Sequence, residues 1–147
     1  MLAKKNKDVE VKEIFEKMLD KMEEVLNEYK DEIEESELSV HEILTLASIV
    51  EMESVNTEDR KDVASVVYNR LDRGMAIQSD VTTYYAFKID MGERDLYQNE
   101  LDTYNPYNTR GPNMEGKLPV GPISSVSKSS IEAAINPSET DYLFFVA

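Results

Sequence analysis

Apolar residues in the first forty positions recur at intervals of three and four. This spacing places them on one face of a helix of about six turns, and lysine and acidic residues occupy the opposite face. The pattern predicts an amphipathic helix over residues 1–38 that packs against a core, with a coiled-coil or partner-binding helix as the alternative. The apolar face comprises Val11, Ile14, Phe15, Met18, Met22, Val25, Leu26, Tyr29 and Ile33.

A second helix is predicted from Val40 to about Ser54. Ser39 and Glu42 have the spacing of a capping box, in which each side chain accepts a hydrogen bond from the other residue's free backbone N–H. Apolar residues lie nearly all round this helix, which is typical of a helix buried at the centre of a domain. They are Ile43, Leu44, Leu46, Ala47, Ile49 and Val50.

The following residues predict a third helix and then a long irregular segment. Asn56 or Thr57 is expected to cap the helix, and Gly74 stands where a glycine commonly ends one. Residues 88–121 hold most of the glycine and proline and are typical of a loop-rich segment. A loop of that length is more often a binding element than a simple connection. The apolar face of the third helix is Val63, Ala64, Val67 and Leu71.

Two stretches predict a small β component. Residues 77–80 look extended, and Tyr142–Val146 has the composition of a buried strand. Residues 81–87 fit a short helix or a strand equally well, and a capping box at Ser129 predicts a short helix ending at Asn136. We therefore expect an α+β fold, mainly helical, in which the loop-rich segment walls a cleft beside the central helix.

Composition narrows the functions that remain. The net charge of −14 repels phosphate backbones, which excludes a nonspecific nucleic-acid binder. The absence of cysteine and the single histidine, His41, exclude zinc–thiolate and multi-histidine sites, so no metal or cofactor is expected. The longest apolar run, residues 43–50, is too short to span a membrane, and no signal peptide is predicted. Carboxylate, amide, hydroxyl and phenol chemistry remains.

Two carboxylates end the central helix. With Ala47 and Val50 at the centre of the buried stripe, Glu51 and Glu53 fall on opposite flanks, so at least one is expected against apolar surroundings. A desolvated carboxyl group near a helix C-terminus keeps its proton at higher pH, because burial and the helix dipole both disfavour the anion. Such a group suits a general acid acting on a glycosidic oxygen. The alternative is that both glutamates are boundary residues facing water.

Polar clusters on the predicted loops suit a carbohydrate ligand. Amides and hydroxyls hydrogen-bond to sugar hydroxyl and N-acetyl groups, and tyrosine rings stack on pyranose faces. Ordinary turns use the same residue types, so a purely structural role is an equal alternative. The clusters are Gln78, Ser79 and Asp80 with Tyr84 and Tyr85, then Tyr104–Thr109, and then Leu118–Ile123.

Short motifs follow one another from Ile43 to the end of the chain. They are Ala47–Ser54, Ala64–Leu71, Gly74 and Met75 with Gln78–Asp80, Tyr107–Thr109, Leu118–Ile123, Ile131–Pro137 and Tyr142–Ala147. Each motif is weak by itself. In this order and at this spacing they resemble the YceG-like (MltG) family of endolytic murein transglycosylases.

The resemblance implies cleavage of the β-1,4 bond between N-acetylmuramic acid and N-acetylglucosamine in nascent peptidoglycan strands, leaving a 1,6-anhydro-muramyl end. It implies that Glu53, which precedes Ser54 at the end of a lysozyme-like central helix, is the essential carboxylate, with Glu51 ranked second. It also implies an extracytoplasmic location at the bacterial cell membrane through an anchor outside this chain, with peptidoglycan synthases as further partners.

Further site residues follow from the same resemblance. Candidates to orient Glu53 or the substrate's N-acetyl group are Ser54, Gln78, and Tyr107 or Asn108, while Asp80 anchors the loop or serves as a second carboxylate. The remaining candidates for support or substrate binding are Ser79, Tyr85 and Thr109.

The sequence departs from the family pattern around the expected cleft. Val81 replaces a usual proline, Arg110 replaces a frequent tyrosine, and residues 111–117 are longer than expected, which affects the shape of the groove. We interpret residues 39–147 as a catalytic domain truncated at its C-terminus, and residues 1–8 as derived in part from cloning. The competing functions are a lysozyme-type hydrolase using Glu53 with Asp80, and a non-catalytic helical interaction module.

Overall fold

The structure, a computed structural model, describes residues 2–145, excluding the side chains of residues 2–11, 14 and 15. The chain divides into two compact units, Met1–Glu35 and Ser36–Ala147. Across the described residues, no helix combines the length and the apolar character needed to cross a membrane.

The first unit is helical, as predicted, but it contains two helices. Helix α1 spans Leu2–Glu28 and α2 spans Lys30–Glu35, so the helix is interrupted at Tyr29. Of the predicted apolar face, Val25 is buried, whereas the side chain of Met18 is about half exposed. Val11, Ile14 and Phe15 belong to the predicted face, but their side chains lie outside the described set.

Helix α3, Val40–Glu53, is the core of the second unit and confirms the predicted central helix. The capping box is formed: Glu42 N–H donates to Ser39 Oγ at 3.2 Å, and Ser39 N–H donates to the Glu42 carboxylate at 3.0 Å. Ser54 ends the helix, with its N–H donating to Val50 O. The fully buried residues of α3 are Ile43, Thr45, Leu46, Ala47, Ser48, Ile49 and Val50.

Two further helices pack against α3 and against each other. They are α4, Arg60–Asp72, which follows a 3-10 turn at Thr57–Asp59, and α7, Lys128–Ile135. The prediction that Ser129 caps α7 is wrong, because Ser127 is the N-cap and its Oγ accepts a hydrogen bond from Ser130 N–H. Asn136 ends α7 as predicted.

The predicted β component is wrong for the part of the chain that the structure describes. Residues 77–79 are irregular, Asp80–Ala86 forms helix α5, and residues 142–145 run without regular structure, while Val146 lies outside the described residues. The ambiguous residues 81–87 are therefore mainly helical. The loop-rich prediction for residues 88–121 is confirmed, since its only described helix is the single-turn α6, Gln98–Leu101.

Side chains of α4, and not a neighbouring strand, donate hydrogen bonds to backbone carbonyl groups within residues 142–145. Asn69 Nδ2 donates to the carbonyl oxygen of Tyr142 at 2.9 Å, and Arg70 Nε donates to that of Leu143 at 2.7 Å. Backbone groups that find side-chain donors need no strand ladder, so an apolar composition alone does not produce a strand here. At the other stretch, Gln78 has φ of 55°, which interrupts an extended conformation.

The loop-rich segment depends on close packing at Gly111. A Cβ added there would lie 2.6 Å from Thr103 O and 2.9 Å from Asn108 Nδ2. The same two groups are joined by a hydrogen bond of 2.9 Å, in which the Asn108 amide donates to Thr103 O. Because the obstructing atoms are backbone and a buried amide, the loop has little freedom to move aside.

We therefore expect Gly111→Ala to lower the free energy of unfolding by about 1–3 kcal/mol through overpacking. Chemical denaturation of both proteins measures this difference. Gly121→Ala is the matched control: neither Gly111 nor Gly121 has a left-handed φ, but the nearest atom to a Cβ at Gly121 is Tyr107 Oη at 3.4 Å, an ordinary contact. An equal or smaller loss in Gly111→Ala than in Gly121→Ala contradicts the packing explanation.

Candidate active site

Glu53 occupies the last position of α3 and is partly buried. Ser79, which immediately precedes α5, donates a hydrogen bond from Oγ to Glu53 Oε1 at 2.5 Å. The contact joins residues 26 positions apart in the sequence, and the Ser79 residue itself is almost entirely buried. Glu53 is therefore a carboxyl group held in one orientation at the edge of the core.

Burial raises the pKa of the Glu53 carboxyl above its ordinary value. The negative charge of Asp80 acts in the same direction, whereas the Ser79 hydroxyl, the Arg110 guanidinium and the Val81 backbone N–H favour the anion. Val81 stands where the family resemblance leads us to expect proline, which has no N–H, so this chain gains a donor to the carboxylate.

A cleft of about 470 Å³ opens beside Glu53. Its charged lining pairs two carboxylates with two guanidinium groups, in contrast to the strongly acidic chain as a whole. Apolar and aromatic side chains form the remainder of the wall, and Phe144 among them is 74% exposed. The lining residues are Glu53, Asp80, Arg70, Arg110, Ile77, Gln78, Val81, Tyr84, Met91, Leu143, Phe144 and Phe145.

Thr109 and Thr82 hold Ser79 in place beneath the cleft. The Ser79 backbone N–H donates to Thr109 Oγ1 at 2.9 Å, and Thr82 Oγ1 donates to Ser79 O at 2.6 Å. The two threonine hydroxyls lie 2.7 Å apart, and both residues are fully buried. Thr109 therefore supports the group that contacts Glu53, instead of contacting a ligand itself.

Arg110 and Asp80 form an ion pair at the cleft. Both side chains are partly exposed, so water screens part of their attraction. Arg70 reaches the cleft from the buried face of α4, and its Nη1 donates to Ala76 O at 2.9 Å. Its Cζ lies 4.8 Å from the centre of the Phe144 ring. Burial, with the neighbouring Arg110 charge, lowers the pKa of Arg70.

Glu51 has a different set of partners, as expected for opposite flanks of one helix. Its carboxylate accepts hydrogen bonds from Ser127 N–H at 2.7 Å and Ser130 Oγ at 3.2 Å, and it pairs with Arg60 Nη2 at 2.6 Å. These contacts tie α3 to the first residue of α4 and to the start of α7. The geometry therefore makes Glu51 a structural acid, and Glu53 the acid that faces the cleft.

Several predicted site residues form no hydrogen bond with Glu53 in the described part of the chain. Ser54 Oγ is buried without a hydrogen-bond partner in the described part of the chain, so it does not orient Glu53 through a hydrogen bond. Asn108 is fully buried, and its amide donates to the Glu100 and Thr103 carbonyls, which makes it part of the loop scaffold. Tyr85 and Tyr107 line a second cavity.

Comparison with known proteins identifies the family of this chain. The model of the YceG-like family matches residues 4–147, nearly the whole chain. The chain belongs to the YceG-like family.

Two curated relatives are longer than this YceG-like chain. It is 39% identical over 142 residues to an endolytic murein transglycosylase of Bacillus subtilis, and 38% identical over 143 residues to one of Streptococcus pneumoniae. These alignments cover 95% and 93% of this chain, but only 38% and 25% of the relatives. The chain thus spans between a quarter and two fifths of the length of these relatives.

A solved structure supports the fold. The crystal structure of a YceG-like protein from Listeria monocytogenes matches with a TM-score of 0.75 and 42% sequence identity, covering 83% of this chain and 38% of that chain. The mainly helical architecture is therefore that of the YceG-like family.

Three groups in or beneath this YceG-like cleft were not predicted as site residues from the sequence: Arg110, Thr82 and Arg70. Arg110 is visible only as a departure from the family pattern, and Thr82 looks like an ordinary helix residue. Arg70 has a recognisable signal, because it lies three residues after Val67 on the apolar face of α4, where an unpaired charge is disfavoured.

Proposed function

We propose that the protein is a lytic transglycosylase that cleaves peptidoglycan glycan strands endolytically, with Glu53 as the catalytic acid and base. The observation that carries this proposal is the environment of Glu53: a partly buried carboxyl whose pKa is raised by burial, fixed by Ser79, and open to a cleft. The names of the curated relatives give the substrate class. A pKa moved toward neutrality is what a carboxylic general acid requires.

The reaction uses the same carboxyl twice. Protonated Glu53 donates its proton to the glycosidic oxygen as the β-1,4 bond between N-acetylmuramic acid C1 and N-acetylglucosamine O4 breaks. The resulting carboxylate accepts the proton of the muramyl C6 hydroxyl, whose oxygen bonds to C1 and closes the 1,6-anhydro ring. Glu53 ends protonated, ready for another turnover, and no water is consumed.

The hydrogen-bond donors around Glu53, and the ion pair of Asp80 with Arg110, favour this single-carboxylate mechanism. The Ser79 hydroxyl and the Val81 N–H stabilise the carboxylate that exists between the two steps. An intramolecular C6 hydroxyl needs no second carboxylate to activate it, unlike the water of a hydrolase. Asp80 is the candidate second acid of a lysozyme-type hydrolase, but it is engaged by Arg110.

We place the substrate outside the cytoplasm, at the bacterial cell membrane where glycan strands are made. Gln78 lies in the cleft beside Glu53 and is a candidate to bind the N-acetyl group of the sugar. Peptidoglycan synthases are the partners to test, since nascent strands are their product.

Mass spectrometry of the products tests this proposal. Purified glycan strands incubated with the protein are expected to yield internal fragments that end in 1,6-anhydro-muramic acid. Each such fragment is about 18 Da lighter than the hydrolytic product, because no water is added on cleavage. Fragments with reducing muramic acid ends would instead establish a hydrolase, for which Asp80 is the candidate second acid beside Glu53. Unchanged strands in the presence of folded protein would contradict both.

A further inference from the structure

A second cavity lies beside the Glu53 cleft. It measures about 490 Å³, and Tyr84 lines both cavities, so the two share a wall. The Tyr84 hydroxyl donates to Arg94 O at 3.0 Å, which fixes the ring that stands between them. The two cavities therefore adjoin at Tyr84.

Two tyrosine rings form a corner in this second cavity. The ring centres of Tyr85 and Tyr107 are 4.9 Å apart, with 64° between the ring planes. Tyr85 is 44% exposed, so a large part of it is available to a ligand. A ring fixed edge-on by its neighbour loses little conformational freedom on binding, which favours stacking of a flat apolar face upon it.

Polar groups surround the tyrosine corner. Lys88, Asp90 and Asn105 line the same cavity and supply a cation, a carboxylate and an amide. Asn105 Oδ1 accepts the Tyr107 N–H at 2.8 Å, which holds both residues in the loop. Aromatic faces bordered by hydrogen-bonding groups match a pyranose, which has an apolar face and a rim of hydroxyl groups.

The backbone at the end of α5 shapes this wall. Lys88 has φ of 56°, its N–H donates to Tyr85 O at 3.2 Å, and Ile89 N–H donates to Tyr84 O at 2.9 Å. This pair of bonds is a Schellman motif, in which the left-handed position is usually glycine. A lysine there brings a charged side chain to the cavity at a cost in backbone strain, which is typical of functional positions.

We propose that the Tyr85–Tyr107 cavity is a second saccharide subsite, which binds a β-1,4-linked N-acetylhexosamine of the strand while another part of the strand occupies the Glu53 cleft. This inference rests on the proposed function, because it takes the ligand of the two neighbouring cavities to be one glycan. A stem peptide is the other class of ligand that the substrate offers, and the stacked-ring geometry favours the sugar.

Binding of the β-1,4-linked tetramer of N-acetylglucosamine tests the proposal. Titration calorimetry with the Glu53→Gln protein avoids turnover. Adding Tyr85→Ala to that protein is expected to weaken binding about tenfold, whereas adding Tyr85→Phe retains the affinity, because the ring face and not the hydroxyl makes the contact. Adding Tyr97→Ala is the matched control, since Tyr97 is 58% exposed and lines neither cavity.

Kinetics on long glycan strands separate this inference from the proposed function. With Glu53 intact, Tyr85→Ala is expected to raise KM about tenfold and leave kcat nearly unchanged. Cleavage with wild-type KM and tetramer affinity in Tyr85→Ala overturns the subsite while leaving the transglycosylase standing. Loss of affinity for an isolated stem peptide, with tetramer affinity unchanged, assigns the cavity to peptide and also overturns it. Absence of cleavage in the folded wild type overturns the proposed function itself.

Discussion

Glu53→Gln is expected to reduce glycan cleavage by about 10³- to 10⁴-fold, the upper part of the range for general acid–base catalysis. The amide has nearly the shape of the carboxyl group, but it can neither donate the proton to the glycosidic oxygen nor accept one from the C6 hydroxyl. Both steps depend on the same group, so neither survives. The measurement is the initial rate of anhydro-muramyl product formation.

Glu51→Gln is the matched control, because it makes the same chemical change two residues away on the same helix. Its carboxylate pairs with Arg60 and accepts hydrogen bonds from the start of α7, so the substitution is expected to lower the free energy of unfolding by about 1–3 kcal/mol. The rate per folded molecule should remain near that of the wild type. A folded Glu51→Gln protein without activity, or an active Glu53→Gln protein, would contradict the assignment.

The melting temperature of Glu53→Gln at two pH values tests the raised pKa of Glu53 independently of activity. The pKa of Glu53 is raised in the folded protein, so the folded protein binds this proton more tightly than the unfolded chain does. The associated stability is present at low pH and is lost as the pH rises through the raised pKa. Glutamine has no proton to lose, so the variant's melting temperature should match that of the wild type at about pH 4 and exceed it at about pH 7.5.

Ser79→Ala is expected to reduce the cleavage rate by about 10- to 100-fold, the range for losing a hydrogen bond to a charged group. Without the 2.5 Å bond from Ser79 Oγ, the Glu53 carboxylate loses the neighbour that most favours it. Its pKa therefore rises further. In the pH–rate profile, the fall in rate caused by deprotonation of Glu53 should accordingly move to higher pH. The maximum rate should be lower.

Ser54→Ala provides the comparison for Ser79. Ser54 is adjacent to Glu53 in the sequence and carries the same hydroxyl group, but that hydroxyl has no hydrogen-bond partner in the described part of the chain. We expect its removal to leave both the rate and the pH profile nearly unchanged. A large effect in Ser54→Ala, with none in Ser79→Ala, would reverse the roles given to the two serines.

Local patterns in the sequence were sufficient for the central helix. The capping box at Ser39 and Glu42, and the continuous apolar character of residues 43–50, depend on neighbours within a few positions, so the bounds of α3 followed from the sequence. The same holds for the end of α4 near Gly74 and the end of α7 at Asn136. The opposite placement of Glu51 and Glu53 also followed, because helical geometry fixes the angle between them.

Strands and loop contacts were beyond the reach of local patterns. Tyr142–Val146 has the composition of a strand, but the described residues of that segment bond to the side chains of Asn69 and Arg70, some seventy positions earlier. Asn108 and Tyr107 are consecutive, yet one is a buried scaffold amide and the other lines a cavity. Only the folded arrangement distinguishes such neighbours.

The sequence alone thus determined that a buried helix ends in two acids on opposite flanks, since this requires only the periodicity of the helix. Tertiary structure decided which acid faces the cleft. Glu51 meets Arg60 and the first turn of α7, whereas Glu53 meets Ser79, which Thr109 holds in place from thirty residues away. The physical reason is that burial and hydrogen bonding set the protonation of a carboxyl, and in this fold both come from distant segments.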